Sequence, residues 1–208
     1  NEGIIALRIH RYNSGVEMRR NVKRDFKWCF YDYNGDMITP PRFDKVGSFN
    51  EGLAYTCIEQ EEGEYACKYI NKTGNYEFYN EFSYANDFSE GLAVVNKKSV
   101  INRLGEVRNF SLSYTELTGK FHDNRTFTSD GQLLDRNGKQ ISAKYHTDQF
   151  FNEGLAPVQI KNGNEKYCYI NIDGEVIIPP IFDYACPFYN GIARVKEGEY
   201  WGYIKLKE

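Results

Sequence analysis

A five-residue block recurs along this chain, and it limits the fold more than any other feature. It reads Asn50-Glu51-Gly52-Leu53-Ala54, Ser89-Glu90-Gly91-Leu92-Ala93 and Asn152-Glu153-Gly154-Leu155-Ala156. Looser copies stand at Asn1-Glu2-Gly3-Ile4-Ile5 and Tyr189-Asn190-Gly191-Ile192-Ala193. Phe49, Phe88, Phe151 and Phe188 each precede one of the later glycines by three residues. The 63 residues from Gly91 to Gly154 are too many for one unit. Phe121-His122-Asp123-Asn124-Arg125-Thr126 fits between them as a degenerate copy, with Asn124 in the glycine's place. A second landmark, an Asp or Asn three residues before a glycine, ends at Gly35, Gly74, Gly105, Gly138 and Gly174. From these glycines to the next block the gaps are 17, 17, 19, 16 and 17 residues; from block to landmark they are 32, 22, 14, 14 and 20. The near-constant half implies a fixed structural path, and the variable half implies a hairpin open to insertion.

One unit can be read physically. Gly-Leu-Ala opens a short apolar strand, and Tyr69-Ile70-Asn71 or Leu133-Leu134-Asp135 is the next. The Asx residue starts a turn, and the glycine supplies the positive φ of a type I turn with a G1 bulge. A third strand follows as Met37-Ile38-Thr39-Pro40-Pro41 or Ile177-Ile178-Pro179-Pro180. Prolines cannot donate ladder hydrogen bonds, so this strand stops there or lies at an edge. The stretches Phe43–Phe49, Phe82–Phe88 and Phe182–Phe188 then pack two phenylalanines each into the core. Helix caps and 3.6-residue apolar stripes are missing. With 17 Tyr, 14 Phe and 18 Gly against 2 Met, composition favours strands and turns. The reading is an all-β fold: one array over residues 1–208, about five units of short antiparallel strands and hairpins, in an open curved or solenoid-like stack. The alternative is a closed propeller-like ring, in which residues 4–9 pair beside residues 200–206.

Trp201-Gly202-Tyr203-Ile204-Lys205 carries a further signal, with Trp28-Cys29-Phe30-Tyr31-Asp32 as an earlier version. The unit around Gly174 adds Ile177-Ile178-Pro179-Pro180, Phe182-Asp183-Tyr184-Ala185, Phe188 and Gly191-Ile192-Ala193. Together these resemble the bacterial WG-repeat (KWG-repeat) family, over nearly the whole chain except residues around 107–120. The Trp-Gly pair is replaced by Cys67-Lys68 and Tyr167-Cys168 and is lacking in the middle units. The resemblance implies an all-β repeat protein without an established enzymatic activity. It gives Gly52, Gly91, Gly154, Gly191, Trp28 and Trp201 structural roles. The chain starts inside a block and ends where a turn glycine would fall, so a slice of a longer array is expected.

Signals for chemistry are sparse. Net charge is −3, no electrostatic case for nucleic acid or an anionic membrane. No run of 18 apolar residues exists, so no membrane-inserted helix is expected. His10, His122 and His146 lie in no zinc-binding spacing, and no cofactor or metal is expected. Asp32-Tyr33-Asn34-Gly35-Asp36 looks like the start of a calcium loop, but Phe43 stands where the bidentate Glu belongs. Glu51, Glu90 and Glu153 recur once per unit. They are read as local acceptors of backbone hydrogen bonds at their own turns, because catalysis needs one asymmetric constellation. The five cysteines make no closed framework; Cys57 and Cys67 could face each other across a hairpin, and all five read first as small half-buried side chains. They do not decide between a cytoplasmic and an extracytoplasmic home.

Two surface features remain. Residues 8–27 hold Arg8, Arg11, Arg19, Arg20, Lys23, Arg24 and Lys27 against only Glu17 and Asp25. This basic hairpin, with Tyr12 in it, is a candidate partner surface, set against a solvated insertion that protects a β-edge. Tyr31, Tyr69, Tyr169 and Tyr203 are taken to share one repeat position, and Tyr84 and Tyr184 another, so packing explains these first. Tyr76, Tyr79, Tyr114 and Tyr189 are less regular and are the candidates for stacking on a ligand. The expected function is a non-enzymatic scaffold that binds a protein through its extended face and variable loops. The alternative is a secreted or cell-surface carbohydrate-binding module.

Overall fold

The computed structural model describes residues 2–10, 26–61, 63–113, 115–160 and 165–206. Among them every regular element is a strand. The chain divides into two compact units, residues 1–108 and 109–208.

The first unit holds three three-stranded antiparallel sheets. They are β1 (Ile4–His10), β2 (Phe26–Asp32) and β3 (Met37–Phe43); β4 (Lys45–Val46), β5 (Leu53–Glu59) and β6 (Tyr65–Asn71); and β7 (Leu92–Val95), β8 (Ser99–Asn102) and β9 (Val107–Asn109). The second unit holds a six-stranded sheet of β10 (Arg125–Phe127), β11 (Gln132–Asp135), β12 (Gln140–His146), β13 (Leu155–Ile160), β14 (Tyr167–Asn171) and β15 (Val176–Phe182). A last sheet follows, of β16 (Tyr184–Ala185), β17 (Ile192–Glu197) and β18 (Tyr200–Lys205). The all-β repeat architecture is as expected. The pairing that a closed ring needs is not formed among the described residues, since β1 pairs with β2 and β18 with β17.

The recurring block is the two-residue turn of a hairpin. Asn50 and Leu53 exchange both backbone hydrogen bonds around Glu51 (φ 52°) and Gly52 (φ 80°). Two positive φ values define a type I′ turn, whose twist matches that of the flanking strands. The degenerate copy does the same: His122 and Arg125 pair around Asp123 (φ 51°) and Asn124 (φ 60°). Asn is the side chain that best tolerates this region after Gly, which explains the replacement. The second landmark is also as read. Asn71 Oδ1 accepts the N–H groups of Thr73 and Asn75, and the Gly74 N–H donates to the Asn71 carbonyl. Asp32 makes the same bonds to Asn34, Asp36 and Gly35, so the calcium-loop look-alike is a β-turn.

The carboxylates of Glu2, Glu51, Asp123 and Glu153 reach beyond their own turns. Glu2 accepts the Gly52 N–H at 2.8 Å, and Glu51 accepts the Gly91 N–H at 3.0 and 3.1 Å. Asp123 accepts the Gly154 N–H at 2.8 Å, and Glu153 accepts the N–H groups of Asn190 and Gly191 at 2.5 and 2.8 Å. Each of these four acids caps the turn of the following repeat. The turn's own outward N–H groups face the preceding repeat, which is why the acceptor must come from there.

The β5–β6 pair buries both of its faces. One side of the β5–β6 pair offers Ala54 and Ile70 to the core holding Phe30, Phe43 and Phe49. The other offers Leu53, Cys57, Cys67 and Tyr69 to the core holding Phe82, Phe88, Ala93 and Ile101. Cys57 and Cys67 lie directly opposite each other and form a disulfide, with Cα atoms 4.0 Å apart. The Cys67 N–H and carbonyl bond outward to Phe82, so the cysteines form a non-hydrogen-bonded pair, the kind that brings side chains closest. Pro40-Pro41 and Pro179-Pro180 lie within β3 and β15, both edge strands, where the register shifts past them.

Candidate functional site

The last sheet departs from the others on its outer face. Counting back from the turn position (Asp32, Asn71, Asn171, Lys205), Phe30, Tyr69, Tyr169 and Tyr203 are equivalent. The structure thus moves Tyr31 out of the set assigned from sequence and puts Phe30 in it, because the first landmark is anchored at Asp32, directly after Tyr31. Tyr69 and Tyr169 are 1% and 0% exposed, and their hydroxyls donate to the carbonyls of Asn86 and Cys186, each 17 residues on. Burial pushes both phenols up in pKa. Tyr203 is 75% exposed. Packing therefore accounts for Tyr69 and Tyr169.

Trp201 is 53% exposed on the same face of β18. Across the strand pair stand Lys196 opposite Trp201 and Arg194 opposite Tyr203. The Arg194 guanidinium lies 4.6 Å from the Trp201 ring centroid, close enough for a cation–π contact. Tyr184 meets Trp201 edge-on at 5.9 Å and Tyr167 at 5.5 Å, and its hydroxyl accepts from the Gln149 amide. Burial first, then Asp148 and Tyr184, raises the Tyr167 pKa. At the rim Lys166 and then the Gly198 N–H hold the Asp183 carboxyl below its usual range. The alternate residues, Ala193, Val195 and Ile204, turn inward to the core of Tyr169, Phe182 and Phe188. The result is one face of exposed aromatics and cations over an ordinary apolar core. It is suited to flat apolar groups and to negative charge.

A second feature lies in the second unit, where residues 111–115 have no counterpart in the other repeats. Of these, Ser111, Leu112, Ser113 and Thr115 border a cavity of about 480 Å³, lined also by Asp130, Gln132 and Lys144. Asp130 is its hub. It pairs with Lys144 and accepts from the Thr115 and Thr128 hydroxyls at 3.0 and 2.6 Å. These contacts, Lys144 first, hold its carboxyl far below the usual range. The carboxylate is used in fastening this segment to the turn at Thr128–Gly131.

Comparison with known families decides the wider assignment. The WG containing repeat matches at residues 28–60, 69–100 and 167–204. The chain belongs to the WG-repeat family. No curated protein matches it. The third WG match ends on β18, so the exposed Trp201 is the family's own tryptophan, here on an outer face. Trp28, its counterpart in the first repeat, is half-buried against Ile4, Phe30 and Phe43.

The residues singled out from the WG-repeat sequence scatter. Arg11, Tyr12, Arg19, Arg20, Arg24 and Tyr114 lie outside the described residues. Tyr76, Tyr79 and Tyr189 are exposed. Among the described residues none of the three pairs with another aromatic ring; Tyr76 instead carries Lys68 at 5.3 Å and Arg42 at 5.8 Å over its own ring. Gly52, Gly91, Gly154 and Gly191 are the turn glycines. Sequence reasoning missed Arg194, Tyr184 and Tyr203 as surface residues. The available signal was alternation: Trp201, Tyr203 and Lys205 fall on one face. It also missed Asp130 and Lys144, although Thr128-Ser129-Asp130-Gly131 carries the turn signature. His122 stacks on Phe150 at 4.4 Å.

Proposed function

We propose that this WG-repeat chain is a non-enzymatic scaffold that holds a protein partner on the outer face of its last sheet. One observation carries the reading. The Arg194 guanidinium lies 4.6 Å from the Trp201 ring centroid, with Lys196 and Tyr203 beside them on the β17–β18 pair. Exposed aromatics beside an arginine are the composition of interface hot spots. The repeated carboxylates are committed to backbone N–H groups, which fits a structural rather than a catalytic use of them. Arg194 and Lys196 favour a protein surface with acidic groups over a neutral glycan.

A photo-crosslinking amino acid placed at Tyr203 in the native host tests this. The expected result is a discrete protein adduct that disappears when Arg194→Glu is added. Adducts that ignore Arg194→Glu, or glycan-array binding that is lost with Trp201→Ala, would count against a protein partner.

A further inference from the structure

We propose that the cavity at the tip of the β10–β11 hairpin is a binding site for a neutral sugar. It shares no residue with the last sheet and goes beyond the reading of that sheet as a protein-binding surface.

The space has a structural cause. β10 and β11 are 3 and 4 residues long, against 7 and 7 for β5 and β6 and 6 and 5 for β13 and β14. The hairpin stops short, and residues 115–118 run in beside its tip. The Thr118 N–H donates to the Phe127 carbonyl at 2.9 Å, and the Ser129 N–H to the Glu116 carbonyl at 2.7 Å. The Tyr145 N–H donates to the Gly131 carbonyl at 2.8 Å, which ties β12 to the same turn. The cavity of about 480 Å³ is bounded by these pieces, and its volume falls in the range of small-molecule sites.

Asp130 sets the walls and is itself fully used. Its oxygens accept from the Thr115 and Thr128 hydroxyls at 3.0 and 2.6 Å, from the Gln132 amide at 3.3 Å and from Lys144. A carboxylate has about four acceptor sites, so a ligand meets the groups that Asp130 orients rather than Asp130. The Lys144 ammonium keeps further N–H donors beyond the one it gives to Asp130. Gln132 turns its amide nitrogen to Asp130, so its carbonyl oxygen is the end left to accept, and nothing among the described residues donates to it. Ser111 adds an exposed hydroxyl, also without a partner among the described residues. Leu112 supplies apolar contact.

This set selects by charge and by shape. The Lys144–Asp130 pair carries no net charge, so an anion meets a carboxylate as well as an ammonium. No aromatic ring lines the cavity among the described residues, so a flat base has nothing to stack on. Hydroxyl groups both donate and accept, and neighbouring ones satisfy Lys144, Gln132 and Ser111 together. A sugar ring holds such hydroxyls at fixed spacing and has a C–H face for Leu112.

The probes are D-glucose, D-galactose, D-mannose and N-acetyl-D-glucosamine, with D-glucuronate and inorganic phosphate as anions. Each is titrated into the full chain and read by amide chemical shifts. We expect saturable binding of at least one neutral sugar, weakened about tenfold by Gln132→Leu and abolished by Ser111→Trp. Ser111 is exposed, so an unchanged melting temperature of Ser111→Trp separates a filled cavity from a lost fold. Binding of the sugar's methyl glycoside assigns the site to the end of a glycan, and binding of the free sugar alone assigns it to a monosaccharide. Failure of every neutral sugar, tighter binding of glucuronate or phosphate, or binding that survives Ser111→Trp would overturn the proposal. Sugar binding lost with Trp201→Ala instead would overturn it as well, by moving the ligand to the last sheet.

Discussion

Glu51 occupies a backbone region that costs an ordinary side chain about 1–2 kcal/mol. Asn-Gly is the usual pair in such a turn. The strained glutamate is explained by its reach to Gly91, 40 residues on. At Asn190-Gly191 the usual pair returns, and that turn is itself capped by Glu153. Glu51→Ala should therefore cost about 1 kcal/mol, while Glu51→Gln, which keeps an acceptor, should cost less; urea denaturation midpoints measure both. Two glycines separate strain from space. An added Cβ meets nothing within 4 Å at Gly52, but at Gly131 it falls 1.7 Å from the Tyr145 carbonyl oxygen. Gly52→Ala should cost about 1–2 kcal/mol, and Gly131→Ala far more, read as the difference in melting temperature. Asp130 gives a pH dependence. Its native pKa is depressed, first by Lys144. Its contribution is thus complete above the unfolded value of about 3.9 and is lost as pH falls below it. In thermal scans the wild type should exceed Asp130→Asn at pH 6, and the gap should close toward pH 2. A gap independent of pH would remove the carboxylate as its source.

Among the elements, the β5–β6 hairpin is the one covalently closed. Its disulfide spans 10 residues, and losing it should cost about 2–3 kcal/mol by the loop-entropy estimate. Intact mass without and with reductant reports the bond, and the melting temperature reports its contribution. The hairpins were legible in the sequence because their backbone demands leave a trace: a residue held at positive φ must be Gly, Asn or a strained exception. The targets of Glu2, Glu51 and Glu153 were not legible, because a backbone N–H has no side-chain signature. Nor was the exposure of Tyr203, which has the same residue type and register as Tyr169. What differs is whether another strand and loop cover it, and that belongs to the neighbour. The cavity at Asp130 was hidden for a third reason: residues 111–115 repeat nothing, so no second copy could be aligned with them.

At the scale of the whole molecule, each compact unit carries its own cores. Phe30, Phe43 and Phe49 with Ile70, and Tyr69, Phe82 and Phe88, belong to residues 1–108. Phe127, Phe151 and Val158, and Tyr169, Phe182 and Phe188, belong to residues 109–208. Residues 1–108 and 109–208 expressed separately should each unfold cooperatively, with β-type circular dichroism. A half that is unfolded alone would show that its cores are insufficient. The proposed partner surface lies wholly in the second unit, so that half should retain the Tyr203 adduct.

The direction of the carboxylate caps has a consequence for biosynthesis. In every cap described, the acid precedes the turn it serves, by 31 to 50 residues. A ribosome delivers the acceptor before the donor. Each hairpin so capped therefore leaves the exit tunnel to meet a cap already in place on the repeat before it, and within each unit these repeats can be assembled as they are translated, in the order in which they are read.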